Sequence, residues 1–305
     1  MTSLAIDPGP RRLGKTDLRV APLAYGLWRF AGTGADGPRA RLEAALEAGM
    51  TLLDTADIYG GEGASEELLG RVFEETPGLR ERVVLATKCG IVRGVPYDSS
   101  AGHVRAACEA SLRRLRTDRI DLYQIHRPDW LAHPEEVAGA LAALRQAGHV
   151  REVGVSNYRP SQLEALQAFL PFPLATQQPE LSALQLEPVR DGVLDQCMRL
   201  GITPLAWSPL AGGDLALSSR EASARPGGAR LAATIRVLDR LAEAQRVTRS
   251  AVALAFVMAH PSAPIPIVGT QRAARIREAR EALRVRLTRA DWYAVVEASQ
   301  GEALP

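Results

Sequence analysis

Short apolar segments rich in β-branched residues alternate along the chain with longer amphipathic segments, and this alternation limits the possible folds more than any other feature. Apolar runs bounded by turn residues are typical of strands, and their nearly continuous apolarity indicates burial on both faces of a parallel sheet. The segments between them have helical spacing, as in Val137, Leu141 and Leu144 before Gly148. The pattern therefore predicts eight strands, at residues 21–28, 51–54, 83–88, 120–126, 150–157, 174–181, 202–208 and 264–268.

Eight strand and helix units predict an α/β fold closed into a (β/α)8 or TIM barrel, with residues 1–305 forming one domain. The alternative is an open, doubly wound sheet, which usually carries a glycine-rich turn after its first strand. Neither GxGxxG nor GxxxxGK occurs in this sequence, so the barrel is favoured. Pro264 and Pro266 cannot donate to a central ladder, and the eighth strand is therefore expected to be short or irregular.

Two segments do not fit the repeat of strands and helices. Residues 9–20 predict a short N-terminal β-hairpin that turns at Gly14. Residues 211–228 are rich in Gly, Ser and Pro and are too long for a simple connection. We interpret this second segment as a lid or cofactor clamp.

Charge and cysteine content exclude several function classes. The net charge is only +2 and basic residues are interspersed with acidic ones, which argues against a nucleic-acid partner or a polybasic membrane anchor. Cys89, Cys108 and Cys197 are odd in number and widely spaced, which fits neither a disulfide framework nor a metal site. The N-terminus lacks a secretory pattern, and no apolar run has membrane-spanning length. We expect a cytoplasmic protein without metal, and the oligomeric state stays open.

Polar residues occur where several predicted strands end. Asp54, Lys88 and His126 each end a strand, successive ones about one βα unit apart, and Tyr59 follows Asp54 in the next loop. Taken alone, each residue is equally well explained as a cap, a loop aromatic, a strand-end charge or a buried hydrogen-bonding group. Barrel enzymes carry their active sites at the carboxyl ends of strands, so together these residues predict a site for proton transfer.

A neighbouring ammonium group changes the acidity of a phenol. Free tyrosine has a pKa of about 10, too high for fast proton donation near neutral pH. Lowering that pKa by about two or three units requires roughly 3 to 4 kcal/mol, which a close lysine in a low-dielectric site can supply. We therefore expect Lys88 to lower the pKa of Tyr59 to this extent, and Asp54 to hold Lys88 and keep it charged.

Four motifs, in order, resemble the aldo-keto reductases: DTADIYG (54–60), LATKCG (85–90), LYQIHRPD (122–129) and GVSNY (154–158). The resemblance extends from GLWRF near the N-terminus to the WYAVVEAS tail, which is similar to a bacterial subgroup. It implies an NADPH-dependent reductase of small aldehydes or ketones, with hydride supplied by the nicotinamide. It also implies a catalytic tetrad in which Tyr59 donates the proton and His126 orients the carbonyl: Asp54, Tyr59, Lys88 and His126.

The resemblance also implies how the nucleotide is held. Ser156, Asn157 and Gln178 match residues that hydrogen-bond the nicotinamide carboxamide, and Trp207 matches the stacking position. Gly269, where some members carry lysine, and Ala279, where asparagine usually contacts adenine, depart from the pattern, so the strength of the NADPH preference stays open. The implied contacts to the rest of the nucleotide come from Gly26, Leu27 and Asp54 near the nicotinamide, Ser208, Leu210 and Gly212 at the pyrophosphate, and Thr270, Gln271, Arg272, Arg275 and Glu278 around the 2′-phosphate.

The expected substrate pocket lies beside Tyr59 and His126. Trp28, Arg127, Trp130 and Tyr97 are its further candidates, although the two tryptophans are explained equally well as rim packing. Two other functions compete with a reductase: a barrel aldolase with a Schiff base on Lys88, and an NADPH-binding redox sensor with little turnover. The aldolase leaves Ser156, Asn157 and Gln178 without a purpose.

Overall fold

Eight parallel strands form a closed barrel, as expected from the sequence. The computed structural model describes residues 3–32, 34, 36–225 and 227–305. A two-stranded antiparallel hairpin, β1 (Arg11–Arg12) and β2 (Arg19–Val20), precedes the barrel. The barrel strands follow in chain order: β3 (Ala24–Gly26), β4 (Leu52–Asp54), β5 (Val84–Cys89), β6 (Ile120–Ile125), β7 (Val150–Ser156), β8 (Thr176–Gln178), β9 (Thr203–Ala206) and β10 (Ile265–Val268).

Helices follow the strands, and several begin at residues suited to a helix start. Proline occupies the first turn of three of the longer helices, and the Ser100, Thr248 and Thr288 side chains cap three others. The helices are α1 (Pro38–Glu47), α2 (Ala64–Glu75), α3 (Ala101–Leu115), α4 (Pro134–Gln146), α5 (Pro160–Phe169), α6 (Glu187–Arg190), α7 (Val193–Leu200), α8 (Ser219–Ser223), α9 (Gly228–Gln245), α10 (Arg249–Met258), α11 (Ala273–Glu278) and α12 (Arg289–Gln300). Short 3-10 helices span Arg80–Arg82, Ala211–Ala216 and Ala279–Arg284.

Prolines shorten two of the last three barrel strands. A short β10 was expected, whereas β8 is shorter than the predicted strand at residues 174–181. In β10, Ile265 and Pro266 pair with β9, and the two residues that follow pair with β3. Regular pairing in β8 ends at Gln178, well before the predicted residue 181, because Pro179 has no amide hydrogen to donate. The barrel therefore closes through short strands.

The hairpin covers the amino-terminal end of the barrel. Leu13, Leu18 and Val20 are buried in one apolar cluster with residues of the barrel interior such as Leu52 and Leu122. The turn comes at Gly14, as predicted, with a φ of 55°, and the Gly14 amide donates to Thr203 Oγ1 at 2.7 Å. A Cβ on Gly14 would lie 2.6 Å from the Ala175 carbonyl oxygen, so only glycine allows this close approach. The accessible end of the barrel is the carboxyl end.

Residues 211–228 are more ordered than the expected loop. They contain the 3-10 helix Ala211–Ala216 and the short helix α8, which begins with a capping box between Ser218 and Glu221. Pro226, within this segment, lies outside the described residues. Within the described ranges, no helix combines the length and apolarity needed to cross a membrane.

Candidate active site

A cavity of about 1380 Å³ lies at the carboxyl ends of the barrel strands. Asp54, Ser156 and Gln178, which end β4, β7 and β8, contribute to its wall. Because parallel strands of a barrel end at one face, residues far apart in sequence meet there. The sequence-predicted residues that line it are Gly26, Trp28, Asp54, Tyr59, His126, Arg127, Ser156, Asn157, Gln178, Trp207, Ser208, Leu210, Gly212, Thr270, Gln271, Arg272, Arg275 and Glu278.

The structure does not bring Leu27, Trp130 or Tyr97 to this cavity. Leu27 is fully buried in the hydrophobic core and is not among the lining residues, so its expected contact with the cofactor stays a prediction. Trp130 is 83% exposed and lies beside a smaller cavity between α4 and α5, because Asp129 accepts hydrogen bonds from the Ser99 and Leu131 amides and fixes the loop there. The expected role of Trp130 in the substrate pocket is therefore not supported.

Lys88 is the centre of the predicted tetrad and is fully buried. Its Nζ donates to Asp54 Oδ2 at 2.7 Å and to the Thr55 carbonyl at 2.8 Å, and lies 3.4 Å from the Tyr59 hydroxyl. The Tyr59 and His126 rings meet edge to face with centroids 5.6 Å apart. The four side chains thus form one group, in which Asp54, Tyr59 and His126 line the cavity and Lys88 lies behind them, in contact with Asp54 and Tyr59.

Burial and charge act in opposite directions on this group. Burial alone lowers the pKa of Lys88, but the charge of Asp54 and the nearby Tyr59 outweigh it, and the net pKa is raised. The pKa of Tyr59 is also raised, because burial disfavours the phenolate more than Lys88 stabilises it. The expected net lowering by Lys88 is therefore wrong, although Lys88 acts in the expected direction. Tyr59 keeps its proton at neutral pH and can donate it.

His126 is held as a neutral imidazole. Burial, followed by the charges of Lys88 and Arg127, places the pKa of His126 well below its usual value. Its backbone amide donates to the Cys89 carbonyl at 2.8 Å, and its Nδ1 is buried with no hydrogen-bond partner in the described part of the chain. A neutral imidazole can donate one hydrogen bond, for example to a carbonyl oxygen.

The residues predicted to bind the nicotinamide form a connected hydrogen-bond network. Trp207 Nε1 donates to Asn157 Oδ1 at 3.0 Å, and Asn157 Nδ2 donates to Ser156 Oγ at 2.8 Å. Ser156 Oγ donates to the Gln178 carbonyl at 2.9 Å, and Gln178 Nε2 donates to Asp54 Oδ1 at 2.9 Å. The network joins the indole of Trp207 to the carboxylate that holds Lys88, so it fixes the relative positions of both groups.

The residues predicted to surround the 2′-phosphate line the cavity and lie far from Tyr59 in sequence: Thr270, Gln271, Arg272, Arg275 and Glu278. Asp36 Oδ2 accepts a hydrogen bond of 2.7 Å from the Ala273 amide, at the start of α11. Gln271 accepts one from Arg41. Sequence reasoning missed both partners, since neither stands in a motif and each lies more than two hundred residues away along the chain. It also missed the cavity-lining residues Arg29, Ile58, Ile91 and Arg249.

Asp57 is a partly buried carboxyl group beside the tetrad, and its Oδ1 is buried without a hydrogen-bond partner in the described part of the chain. Burial first, and then the charge of Glu66, raise the pKa of Asp57 to about 7, while Arg114 opposes them. Glu66 is itself fully buried and accepts hydrogen bonds from Thr87 at 2.5 Å and from Arg114 at 2.7 Å. The Asp57 amide donates to the Lys88 carbonyl at 3.1 Å, so this carboxyl pair lies directly behind the candidate site.

Comparison with known proteins agrees with the fold and with the resemblance seen in the sequence. The sequence model of the Aldo/keto reductase family matches residues 22–300. The 6-dehydroglucose reductase of Novosphingobium aromaticivorans is 50% identical over 100% of both chains, and that of Agrobacterium fabrum is 40% identical over 93% of this chain and 96% of its own. The structure of the glycerol dehydrogenase from Gluconobacter oxydans is similar with a TM-score of 0.81 at 28% identity, covering 97% of this chain and 94% of that one. The chain therefore belongs to the aldo/keto reductase family.

Proposed function

We propose that this oxidoreductase uses NADPH to reduce an aldehyde or ketone to an alcohol, with Tyr59 as the proton donor. The observation that carries the proposal is the position of the buried Lys88 ammonium group, 3.4 Å from the Tyr59 hydroxyl and 2.7 Å from Asp54, two residues that line a large cavity. When bound, the nicotinamide supplies the hydride that goes to the carbonyl carbon.

The side chains of this site then have separate roles. The carbonyl oxygen accepts a hydrogen bond from neutral His126 and, as negative charge develops on it, the proton of Tyr59. The phenolate left on Tyr59 is stabilised by the Lys88 ammonium group, which was charged beforehand. Asp54 fixes that ammonium group and balances its charge. The raised pKa of Tyr59 means that it carries its proton when the substrate binds, and the Lys88 charge opposes that rise by favouring the phenolate.

The residues of the cavity fit a dinucleotide. Ser156, Asn157 and Gln178 present amide and hydroxyl groups for the carboxamide, and Trp207 presents an aromatic face for the ring. The loop residues Ser208, Leu210 and Gly212 would hold the pyrophosphate. The segment Thr270, Gln271, Arg272, Arg275 and Glu278 would hold the adenosine ribose with its 2′-phosphate.

Replacing Arg275 by alanine is expected to weaken NADPH binding by roughly 10- to 100-fold, because a charged hydrogen bond to the 2′-phosphate is lost. NADH binding should change little. Fluorescence titration with both nucleotides measures the two dissociation constants. Arg277→Ala is the matched control, since Arg277 lies on the same helix but pairs with Glu47. Equal losses for NADPH and NADH in Arg275→Ala would place the 2′-phosphate elsewhere.

The substrate we propose is a sugar aldehyde such as 6-dehydroglucose, because two relatives that match nearly the full chain are named 6-dehydroglucose reductase. The test is NADPH consumption by the purified protein with 6-dehydroglucose, and with simple aliphatic and aromatic aldehydes. Turnover of 6-dehydroglucose with the highest kcat/KM is expected. Tight NADPH binding without turnover of any carbonyl compound would instead favour the redox-sensor alternative.

Burial of Lys88 argues against the aldolase alternative. A Schiff base needs a neutral amine with access to substrate. Lys88 is fully buried, its raised pKa keeps it protonated, and its three N–H groups face Asp54, Thr55 and Tyr59. Borohydride in the presence of carbonyl substrates is therefore expected to leave Lys88 unmodified.

We further propose that residues 1–305 act as one domain in the cytoplasm. The N-terminal hairpin shares its apolar cluster with the barrel interior, which supports one folding unit. All three cysteines are buried with free thiols, which suits a reducing compartment.

A further inference from the structure

Arg249, the first residue of α10, joins three parts of the structure, of which α10 and the 3-10 helix Ala211–Ala216 line the cavity. Its Nε and Nη2 donate to the two carboxylate oxygens of Asp239 in α9, at 2.5 and 2.8 Å. Its Nη1 donates to the carbonyl oxygens of Leu215 and Leu217, at 3.1 and 2.6 Å. Arg249 also lines the cavity itself and is only 21% exposed. One guanidinium group therefore connects α9, α10 and the end of the 3-10 helix Ala211–Ala216.

The contacts of Arg249 indicate that it acts through this 3-10 helix and not by direct contact with an anion. A guanidinium group has five N–H donors, and four of those of Arg249 are engaged by Asp239, Leu215 and Leu217. Its charge is also matched by a bidentate carboxylate. Little donor capacity and little unbalanced charge are left for a phosphate group.

The segment held by Arg249 has a backbone that needs external support. Ser208, Ala211, Gly212 and Gly213 all have positive φ angles, of 49°, 50°, 66° and 113°. Non-glycine residues in this region carry an energetic cost, which persists only where surrounding contacts fix the conformation. The segment lines the cavity where the proposed pyrophosphate lies, and its far end is fixed at the Leu215 and Leu217 carbonyls.

We propose that Arg249 and Asp239 form a latch that holds residues 208–217 closed over the bound nucleotide and thereby sets its dissociation rate. Arg249 is thus a positioning residue that acts through the carbonyls of this segment. The inference rests on the proposed function, because it takes the nucleotide to be the occupant of this part of the cavity. When the latch opens, the segment is free to leave its strained conformation, and the pyrophosphate loses its contacts.

Stopped-flow fluorescence with NADPH tests the latch. In Arg249→Leu and in Asp239→Asn, the NADPH dissociation rate constant is expected to rise by roughly tenfold or more, with the association rate constant nearly unchanged. In Arg249→Lys the NADPH dissociation rate constant should lie between those of the wild type and Arg249→Leu, because an ammonium group cannot reproduce the bidentate geometry. The matched control is Arg225→Gln, which breaks an exposed ion pair with Asp214 in the same segment and should leave both rate constants near wild type. An unchanged dissociation rate in Arg249→Leu, or a loss confined to association, would refute the latch.

Hydrogen exchange of the nucleotide-free protein provides a second readout. The Gly213, Leu215 and Leu217 amides donate within the segment, so their exchange reports its opening. Exchange there should be faster in Arg249→Leu and Asp239→Asn but not in Arg225→Gln, while amides of the barrel strands stay protected. If the wild-type protein bound no NADPH, the proposed function would fail while this exchange result could still stand. If exchange is unaltered, the latch fails whatever the nucleotide.

Discussion

Replacing Tyr59 by phenylalanine is expected to lower kcat by about 10²- to 10⁴-fold, the usual contribution of a positioned general acid. The ring that packs against His126 stays, and only the hydroxyl group near Lys88 is lost. The dissociation constant of NADPH should therefore stay close to that of the wild type. Steady-state kinetics with the best aldehyde substrate and a fluorescence titration with NADPH measure the two quantities.

A second variant shows whether removing a tyrosine hydroxyl group elsewhere in the protein also lowers the activity. Tyr97 lies outside the cavity, where it forms an isolated bridge with Ile91, so Tyr97→Phe should keep nearly full activity. A Tyr59→Phe variant with undiminished kcat would remove Tyr59 from the mechanism. An equal loss in both variants would show that the activity responds to packing and not to the acid.

Replacing Asp57 by asparagine is expected to stabilise the protein by about 4 kcal/mol above about pH 8, and by little near pH 4. Burial and Glu66 raise the pKa of Asp57 to about 7 in the folded protein, whereas an unfolded aspartate has a pKa of about 4. Between these values the unfolded chain releases a proton that the folded chain keeps. The contribution of Asp57 to wild-type stability should therefore fall as pH rises from about 4 to about 7, and the uncharged asparagine removes that loss.

Urea unfolding of both proteins across this pH range measures the effect as a difference in the free energy of unfolding. The exposed Asp17 provides the control, since Asp17→Asn should change the free energy of unfolding by less than about 1 kcal/mol at any pH. A difference between wild type and Asp57→Asn that does not grow with pH would show that Asp57 is not held protonated by its surroundings.

The barrel and the tetrad were predictable because they depend on periodic patterns and on chain order. The apolar runs gave the eight strands, and residues that end neighbouring parallel strands must lie side by side, as Asp54, Lys88 and His126 do. The direction of the Tyr59 pKa shift was not predictable in this way. It depends on the balance between desolvation and the Lys88 charge, and the extent of burial is a property of the packed structure.

The contacts made by loop residues also could not be predicted from the sequence. The Asp129 hydrogen bonds that turn Trp130 outward, and the Asp36 bond to α11, join loops whose paths no sequence pattern specifies. No sequence pattern distinguished Arg249 either, because it is one of many arginines in segments with helical spacing. Such residues become visible only when their donors and acceptors are assigned individually.

The seam of the barrel joins opposite ends of the chain, where Ile267 and Val268 pair with Ala24 and Tyr25. Contacts between residues so distant in sequence form late and slowly, because a long stretch of chain must be ordered before they are gained. During synthesis, one edge of β3, the first barrel strand, therefore stays unpaired until nearly the whole polypeptide has left the ribosome. Truncation before residue 265 should leave an open, aggregation-prone sheet in place of a smaller barrel.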